Sequence, residues 1–297
     1  MGILERIPEI ACLQCKGELE EDEHLRCLVC GKVYEIQDGI AQMLGDDAKA
    51  FAREIAVQDR VACEYEQKRY ENPYAKRYHD WWTEQMLSRV RSNGRILDNG
   101  CGIGLLFDKV RSGQVVGLDI SSEMLKVAAK KSDRLIRGNS QQLPLKDNSF
   151  DVVFCRSLIH HLPQPELAVS EIVRILRPEG QAVFVDTNTS LLSALPRKIA
   201  NLGGHFSEEH KNLNRSKMER LLKPYLRVEE VMYFGYIAYP LLGFPDIINL
   251  FKFVPFKSIA ERMLMFIDNA LSRIPFIRTQ SWAILVKAVK LPAAVGR

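Results

Sequence analysis

Short apolar runs alternate with amphipathic helical segments through the middle of the chain. One run ends at Asp98 and leads into a glycine-rich turn, a second covers residues 114–118, and a third covers residues 182–186. Between them, the spacing of apolar residues predicts helices over residues 105–110 and 166–176. Parallel strands that alternate with helices predict an α/β fold with a doubly wound, Rossmann-like sheet, which binds ligands beyond the carboxyl ends of its strands.

The last third of the chain has a different pattern. After the predicted core we expect a helix over 216–222, a strand over 228–233, a helix over 258–274 and a final strand over 281–288. The helix over 258–274 gathers apolar residues on one face, namely Ile259, Met263, Phe266, Ile267 and Leu271. Residues 234–280 are unusually apolar and aromatic, so they are interpreted as an insertion that caps the ligand site.

These patterns divide the chain into four parts. They are a small cysteine-containing unit over 1–45, an aromatic-rich helical lid or linker over 46–92, the α/β core over 93–195, and a substrate cap with the final strands over 196–297. Charge follows the same division, because residues 1–50 carry a net charge of −6, residues 51–195 carry +2 and residues 196–297 carry +8. The chain is therefore acidic at one end and basic at the other.

Composition narrows the class of protein. Hydrophobic residues make up 46% of the chain and charged residues 26%, which excludes wholesale disorder, collagen-like repeats and a membrane bundle. No apolar run reaches the roughly 18 residues that a spanning helix needs. The first ten residues hold Glu5 and Glu9 and lack the apolar core of a secretory signal. We therefore expect a cytoplasmic protein, with peripheral contact at a membrane as a further option.

Two pairs of cysteines near the N-terminus have the spacing of a metal site. Cys12 and Cys15 form one pair, Cys27 and Cys30 form the other, and each pair encloses two residues. Two such turns supply four sulfur ligands, which suits tetrahedral Zn²⁺. Four unligated thiols are the alternative, which both spacings disfavour. A site closed by four cysteines predicts a structural ion rather than a catalytic one.

The glycine-rich turn is the strongest signal in the core. It reads Asp-Asn-Gly-Cys-Gly-Ile-Gly, with glycines at 100, 102 and 104, and it follows an apolar strand. Glycines let the backbone approach a ligand without Cβ clashes. The next predicted strand ends at Asp119, about twenty residues after the first glycine, where a carboxylate can accept both hydroxyls of a ribose.

Residues 93–190 resemble the class I S-adenosylmethionine-dependent methyltransferases, in particular the small-molecule and quinone C-methyltransferases. The resemblance rests on the glycine turn, Asp119, the loop from Gly138 to Leu145, the segment from Asp147 to Phe154, and the order of the strands. It implies a seven-stranded sheet and S-adenosylmethionine as cofactor. The residues implied to bind it are Asp98, Gly100, Gly102, Gly104, Asp119, Ile120, Asn139, Ser140 and Tyr78. Asn99 departs from the family, where a small apolar residue generally stands, and Asn139 replaces an aspartate but keeps an acceptor oxygen.

Residues 8–44 resemble the zinc-ribbon family of small activator subunits for RNA and protein methyltransferases. The resemblance implies a scaffold or a module for docking another protein. The acidic character of this segment weakens the family's tie to RNA, because phosphates would be repelled.

Candidates for proton transfer lie where the methyl group of the cofactor should point. His160 and His161 follow the fourth strand of the predicted core, and Asp186 ends the fifth. A histidine has a suitable unperturbed pKa for a general base, and turn capping or solvation is the alternative role for all three residues. The segment from His205 to His210 holds two histidines and two glutamates, for which a solvent-facing loop is favoured over a metal site.

The acceptor is predicted from the apolar cap. A small hydrophobic or lipid-linked molecule is the favoured acceptor, with Lys252, Lys257, Arg262, Arg273 and Arg278 near anionic headgroups if the cap rests on a membrane. A soluble metabolite is one alternative, and a tRNA or rRNA base positioned by the zinc ribbon is another. Nucleic acid is the less favoured partner. A third hypothesis is a non-catalytic subunit that docks through the ribbon.

Overall fold

The fold is described from a computed structural model, which covers residues 1–90, 94–110, 113–191, 193, 213–245 and 249–292. The strands are β1 (Leu19–Glu21), β2 (Leu25–Cys27), β3 (Val33–Tyr34), β4 (Ile36–Gln37), β5 (Ile40–Met43), β6 (Ile96–Asn99), β7 (Val115–Asp119), β8 (Leu135–Gly138), β9 (Phe150–Arg156), β10 (Leu176–Thr187), β11 (Leu226–Phe234) and β12 (Ala283–Lys290). The α-helices are α1 (Ile3–Arg6), α2 (Ala52–Glu64), α3 (Pro73–Leu87), α4 (Ser122–Ala128), α5 (Pro165–Ile175), α6 (Arg215–Leu222), α7 (Ala238–Leu242), α8 (Lys257–Leu271) and α9 (Pro275–Arg278).

Nine of the described strands form one mostly parallel sheet. Their order is β11-β12-β10-β9-β6-β7-β8-β5-β4, and β6 lies near the middle with β9 and β7 as parallel neighbours. The strand β12 runs antiparallel between β10 and β11. This arrangement confirms the predicted α/β fold, with the carboxyl ends of β6, β7, β8 and β9 meeting at one edge, where ligands bind in such sheets.

The central sheet is wider than the predicted seven strands. Those seven, β6 to β12, are all present, and the N-terminal segment adds two more. The strand β5 pairs in parallel with β8, with Ala41 opposite Ile136, and β4 folds back on β5. The segment expected to be a separate ribbon therefore contributes to the core sheet, while β1, β2 and β3 form its own small antiparallel sheet.

Each face of the sheet is covered by a different layer. On one face, α5 and α6 pack with Ile3, Ile7 and Ile10 of the N-terminal segment into one apolar cluster. On the other, α3 packs with α7 and with Phe234 of β11. The helix α3 begins cleanly because Pro73 fits its first turn and Asn72 accepts hydrogen bonds from the backbone N–H groups of Tyr74 and Ala75.

The structure changes one expectation, makes a second more specific and leaves a third untested. The helix predicted over 105–110 is wrong, because only a single 3₁₀ turn forms at Leu106–Asp108. The apolar face predicted for the helix over 258–274 is present on α8, and its residues Ile259, Met263 and Phe266 are exposed to solvent. The histidine and glutamate cluster at 205–210 lies outside the described residues.

Candidate functional site

The glycine turn after β6 forms the floor of the candidate site. Gly100, Gly102 and Gly104 all have positive φ angles, of 78°, 51° and 74°. A Cβ at Gly102 would meet no atom within 4 Å, whereas one at Gly104 would lie 2.6 Å from the ring of Phe107. The turn therefore packs closely behind Gly104 and leaves open space above Gly102, as a backbone that receives a ligand requires.

Asp119, at the end of β7, faces this turn. Its Oδ2 accepts a hydrogen bond of 2.8 Å from the backbone N–H of Gly102, and its Oδ1 accepts one of 2.9 Å from Ser121. Burial raises the pKa of Asp119, and the backbone N–H groups work in the opposite direction. The carboxylate is thus held in a fixed orientation beside the open space over Gly102. Ile120 follows it and uses its carbonyl oxygen to accept a hydrogen bond of 3.2 Å from Arg137.

The two residues that depart from the methyltransferase pattern have defined positions. Asn99 is fully buried, and its Oδ1 accepts a hydrogen bond of 2.8 Å from the hydroxyl of Ser140. Asn139 is also buried, and its Oδ1 accepts a hydrogen bond from the backbone N–H of Gln141. Asn99 therefore ties the carboxyl end of β6 to the loop after β8. Contact of Asn139 and Ser140 with a cofactor stays a prediction.

Asp98, in β6 just before the glycine turn, is buried near Arg156. Asp98 is 5% exposed, and burial raises its pKa to about 7, although the positive charge of Arg156 lowers it. Arg156 donates a hydrogen bond of 2.6 Å to Nδ1 of His79, whose Nε2 donates one of 2.8 Å to the carbonyl oxygen of Gly243. These bonds connect the core to α3 and to the segment after α7. Burial and the nearby arginines hold the pKa of His79 well below its usual value, so this ring is neutral.

His160 and Asp186 are in direct contact. Nδ1 of His160 donates a hydrogen bond of 2.6 Å to Asp186, which also accepts hydrogen bonds from the backbone N–H groups of Ile159 and Thr187. Burial would raise the pKa of Asp186, but the charge and hydrogen bond of His160 outweigh it and lower the pKa. Asp186 therefore fixes the orientation of the His160 ring through Nδ1.

His161 is linked instead to the helix that covers the site. Its Nδ1 lies 2.9 Å from Oε1 of Glu54 in α2. Burial and the neighbouring His160 lower the pKa of His161, so the ring is neutral at pH 7. Further along α2, Asp59 accepts hydrogen bonds from the hydroxyl of Ser121 and the backbone N–H of Glu123. The helix α2, which belongs to the segment predicted as a helical lid or linker, thus bridges the loop after β9 and the start of α4.

Tyr78 lies away from the glycine turn, in the aromatic layer between α3 and the cap. It is 2% exposed, and its ring stacks on Trp81 at 5.9 Å and meets Trp82 edge to face at 5.6 Å. Trp82 stacks in turn on Tyr239 of α7 at 5.3 Å. These contacts favour packing as the role of Tyr78, and its predicted contact with a cofactor remains untested.

The four N-terminal cysteines converge. The sulfur atoms of Cys12, Cys15, Cys27 and Cys30 all lie within 4.8 Å of one another. A tetrahedral zinc ion with Zn–S bonds of about 2.3 Å places its sulfurs about 3.8 Å apart, so the cluster fits this ion with little adjustment. The Tyr34 hydroxyl lies 3.1 Å from the sulfur of Cys12. Burial opposes ionisation of Cys12, but hydrogen bonds from Tyr34 and the backbone lower its pKa to about 6.

The arrangement at the strand ends fits S-adenosylmethionine. The open space over Gly102 lies beside the fixed carboxylate of Asp119, and Asp98 supplies a second acid beneath the same turn. The two hydroxyls of a ribose require a hydrogen-bond acceptor such as the carboxylate of Asp119. A cofactor that carries an amino group and a sulfonium is also favoured by nearby carboxylates.

Among the described residues, no helix is both long and apolar enough to cross a membrane.

Comparison with known proteins agrees with this geometry. Residues 97–184 match a family model described as a methyltransferase domain. A demethylmenaquinone methyltransferase of Lactiplantibacillus plantarum is 35% identical over 145 residues, which cover 44% of this chain and 60% of that protein. The corresponding protein of Staphylococcus carnosus is 33% identical over 122 residues, which cover 37% of this chain and 51% of that protein. The chain thus spans only about half to 60% of the length of these curated relatives.

Solved structures show the same fold at lower identity. A SAM-dependent methyltransferase of Thermotoga maritima is 18% identical with a TM-score of 0.55, covering 80% of this chain and 99% of that chain. A chain from the Haloferax volcanii complex of the Trm112 methyltransferase activator with a candidate methyltransferase is 18% identical with a TM-score of 0.53, covering 82% and 99%. These likenesses confirm a class I methyltransferase fold.

Proposed function

We propose that this chain, whose central part is a class I methyltransferase domain, transfers a methyl group from S-adenosylmethionine to a small hydrophobic or lipid-linked acceptor. The observation that carries the proposal is the left-handed turn at Gly102, open above its Cα and bonded to the carboxylate of Asp119. The sulfonium of the cofactor supplies an activated methyl group, and the residues of this chain supply binding, orientation and exclusion of water.

Alignment is the main contribution expected from the protein. Methyl transfer from a sulfonium is an in-line displacement, so acceleration comes chiefly from holding the two reactants in register and excluding water. In this proposal Asp119 accepts the ribose hydroxyls, and Asn139 offers its carbonyl oxygen to the adenine amino group. The helix α2 covers the cofactor, because Glu54 and Asp59 anchor it on both sides of the cleft.

A base is required only where the acceptor must lose a proton. We assign this role to His161 or to His160, with Asp186 as the residue that positions His160. Burial keeps His161 neutral and therefore able to accept a proton at pH 7. If a proton is removed in the transition state, His161→Gln lowers kcat and flattens its acid limb, whereas a residue that only packs would not change the pH profile.

The choice of acceptor rests on the aromatic layer and on the relatives. Trp82, Tyr239 and Phe244 pack against one another between α3 and the cap, so this side of the molecule is apolar and aromatic and suits a hydrophobic acceptor better than a polar one. The curated relatives are named demethylmenaquinone methyltransferases, and demethylmenaquinone is a quinone. A quinone-like ring with an apolar tail is therefore the acceptor that we favour over a soluble metabolite.

The RNA alternative is disfavoured by the ribbon's own surface. Glu18, Glu20, Asp22 and Glu23 are exposed there, and the first 50 residues carry a net charge of −6. Phosphates would be repelled from the module that was expected to position them. Salt-sensitive binding of tRNA or rRNA by the intact chain would revive this alternative.

We infer that the ribbon instead holds the loop expected to bind adenine. The backbone N–H of Ala11 donates to the carbonyl oxygen of Pro144, and the N–H of Lys146 donates to that of Glu9, at 3.0 and 2.8 Å. Lys16 donates a hydrogen bond of 2.8 Å to the carbonyl oxygen of Leu143. These bonds attach the ribbon to the loop after β8, so a folded ribbon favours the cofactor-binding conformation of that loop.

Calorimetric titration with S-adenosylmethionine tests the central proposal. Replacing Asp119 by Asn removes the charge but keeps the shape, and it should weaken binding by roughly ten- to a hundredfold, the effect of losing a charge-assisted hydrogen bond. Glu166→Gln, an exposed carboxylate on α5, is the matched control and should leave the affinity unchanged. Absence of binding by the wild-type chain, or equal affinity in Asp119→Asn, would refute the assignment.

A further inference from the structure

The outward face of α8 is apolar and uncovered. Ile259, Met263 and Phe266 recur at helical spacing, and they are 61%, 59% and 73% exposed. The segments on either side add three more exposed aromatic residues, Phe253, Phe256 and Phe276, which are 75%, 81% and 90% exposed. We call these six residues the cap surface. Isolated exposed apolar residues need no explanation, but six large ones within residues 253–276 indicate an interaction site.

The orientation of α8 is fixed by its opposite face. Ala260, Leu264 and Met265 pack against the aromatic layer under the cap. Asp268 accepts hydrogen bonds from the backbone N–H groups of Tyr236, Ile237 and Ala238. The helix therefore cannot rotate to bury its outer residues without losing this inner packing and the anchors at Asp268.

The backbone before α8 supports the same conclusion. Phe256 has a φ of 49° and a ψ of 49°, a left-handed conformation that costs energy for a bulky side chain. This strain is not offset by burial of the ring, since the side chain is largely exposed. A conformation that presents an aromatic ring to solvent at a cost is accounted for if the ring is buried when a partner binds.

The charges around the cap surface have one sign. Lys252, Lys257, Arg262, Arg273 and Arg278 are all exposed within residues 249–280. The same range holds two acids, and neither faces outward as a free charge. Asp268 is buried as described, and Glu261 is bound by the guanidinium of Arg77 at 2.8 and 3.1 Å. The surface is therefore apolar at its centre and cationic at its border.

We propose that the cap surface docks on the surface of an anionic lipid bilayer, with the outer face of α8 inserted at the level of the acyl-chain boundary. An amphipathic helix with aromatic and aliphatic residues on one side and Lys and Arg beside them is typical of helices that lie in a membrane interface. A second copy of this chain fits less well, because a twofold contact would bring five cations against five. This inference stands on the cap alone and goes beyond the methyl-transfer proposal.

Flotation of the intact chain with lipid vesicles tests the docking. The probes are vesicles of phosphatidylcholine and vesicles that also contain about one third phosphatidylglycerol. Wild-type protein should float with the anionic vesicles, and salt should weaken the binding. The double variant M263Q/F266Q keeps helix-forming residues at exposed positions and should bind about tenfold more weakly or worse. Leu167→Gln is the matched control. Leu167 is an exposed apolar residue of α5, which packs on the opposite face of the sheet from the cap.

The outcomes separate the possible occupants. Failure to float with anionic vesicles, or equal flotation of M263Q/F266Q, overturns the proposal. A concentration-dependent dimer in analytical ultracentrifugation that M263Q/F266Q disperses, without vesicle binding, assigns the surface to a second copy instead. Titration of the same samples with S-adenosylmethionine shows whether the variant still folds, and its result is independent of flotation. If the wild-type chain does not bind S-adenosylmethionine, the methyltransferase proposal is refuted and the docking result is unchanged.

Discussion

The N-terminal ribbon and the cap both add apolar residues to the same α/β core. The ribbon buries these residues, whereas the cap exposes several of them. In the N-terminal ribbon, Ile3, Ile7 and Ile10 are at most 1% exposed, because they pack into the cluster under α5. In the cap, Phe256 and Phe266 are 81% and 73% exposed. Apolar residues in an added segment therefore do not by themselves indicate a larger core. Such residues are buried where the segment also forms backbone hydrogen bonds and ion pairs with the core.

The polar contacts of the two ends explain this difference. The ribbon extends the sheet through β5, and its buried Glu9 lies between Arg95 and Arg134 of the core. The cap is held through α7, through the inner face of α8 and through the pair of Glu261 with Arg77, which leaves a second apolar face of α8 without a partner among the described residues. The ribbon is therefore packed as an integral part of the domain, whereas α8 packs on it with one face and exposes the other.

Loss of the metal should have the largest effect on this contrast. Replacing Cys27 by Ser removes one of four ligands, and structural zinc contributes on the order of 10 kcal/mol to the folding of small zinc domains. We expect the thermal midpoint to fall strongly and the affinity for S-adenosylmethionine to fall with it, because the ribbon no longer holds the loop after β8. Elemental analysis should find one zinc per wild-type chain.

The control lies within the same turn. Gln14 is exposed between Cys12 and Cys15 and has no sulfur to offer, so Gln14→Ser should keep the zinc and the thermal midpoint. If Cys27→Ser loses zinc but binds the cofactor as tightly as the wild type, then the ribbon does not support the adenine loop.

Truncation of one apolar side chain at each end gives the next largest effect. Ile7 is fully buried, and Ile7→Ala should lower the free energy of unfolding by about 2–5 kcal/mol. Phe266 is larger but exposed, and Phe266→Ala should change it by less than about 0.5 kcal/mol. Urea unfolding measures both. A large loss in Phe266→Ala would mean that this ring is covered in the folded chain, and the contrast between the two ends would fail.

The sequence predicted the local features of the site well. The turn from Gly100 to Gly104 and the acid at Asp119 are fixed by contacts between neighbouring strands, and β7 and α5 lie within one residue of their predicted bounds. The cysteine spacing predicted a convergence that the sulfur positions confirm. These features depend on short stretches of chain, where residue type and spacing carry most of the information.

What could not be predicted depends on pairing over long distances. The addition of β5 to the sheet joins Ala41 to Ile136, and nothing in a four-residue strand specifies that neighbour. The outward orientation of α8 was also hidden, because Ala260 and Leu264 form a second apolar face of the same helix. Periodicity shows that a face exists, but it does not show which of two faces the core will cover.

Mild acid should loosen the ribbon before the cap, with the smallest effect of the three. Lys16 of the ribbon lies 3.5 Å from Glu171 of α5, which also accepts a hydrogen bond of 2.8 Å from the backbone N–H of Leu143. Burial would raise the pKa of Glu171, but the hydrogen bond from Arg174 and the charge of Lys16 outweigh it and lower the pKa. A lowered pKa means that this stabilisation is complete above the ordinary glutamate value, about 4.3, and is lost as the pH falls below it.

The pKa shift of Asp268, which anchors the cap, is opposite in direction to that of Glu171. Burial raises the pKa of Asp268, so the folded state favours its protonation and acid does not weaken it. Burial also lowers the pKa of Lys16, which keeps the contribution of its pair with Glu171 small.

Hydrogen exchange measures this difference. At each pH, exchange of the amides of Ala11 and Leu143 in and beside the ribbon is compared with that of Tyr236 and Ile237 in the cap. Protection of the first pair should fall below about pH 4.3 while the second holds, and Glu171→Gln should remove the pH dependence. Equal loss at both ends would show that the ribbon and the cap share one anchor.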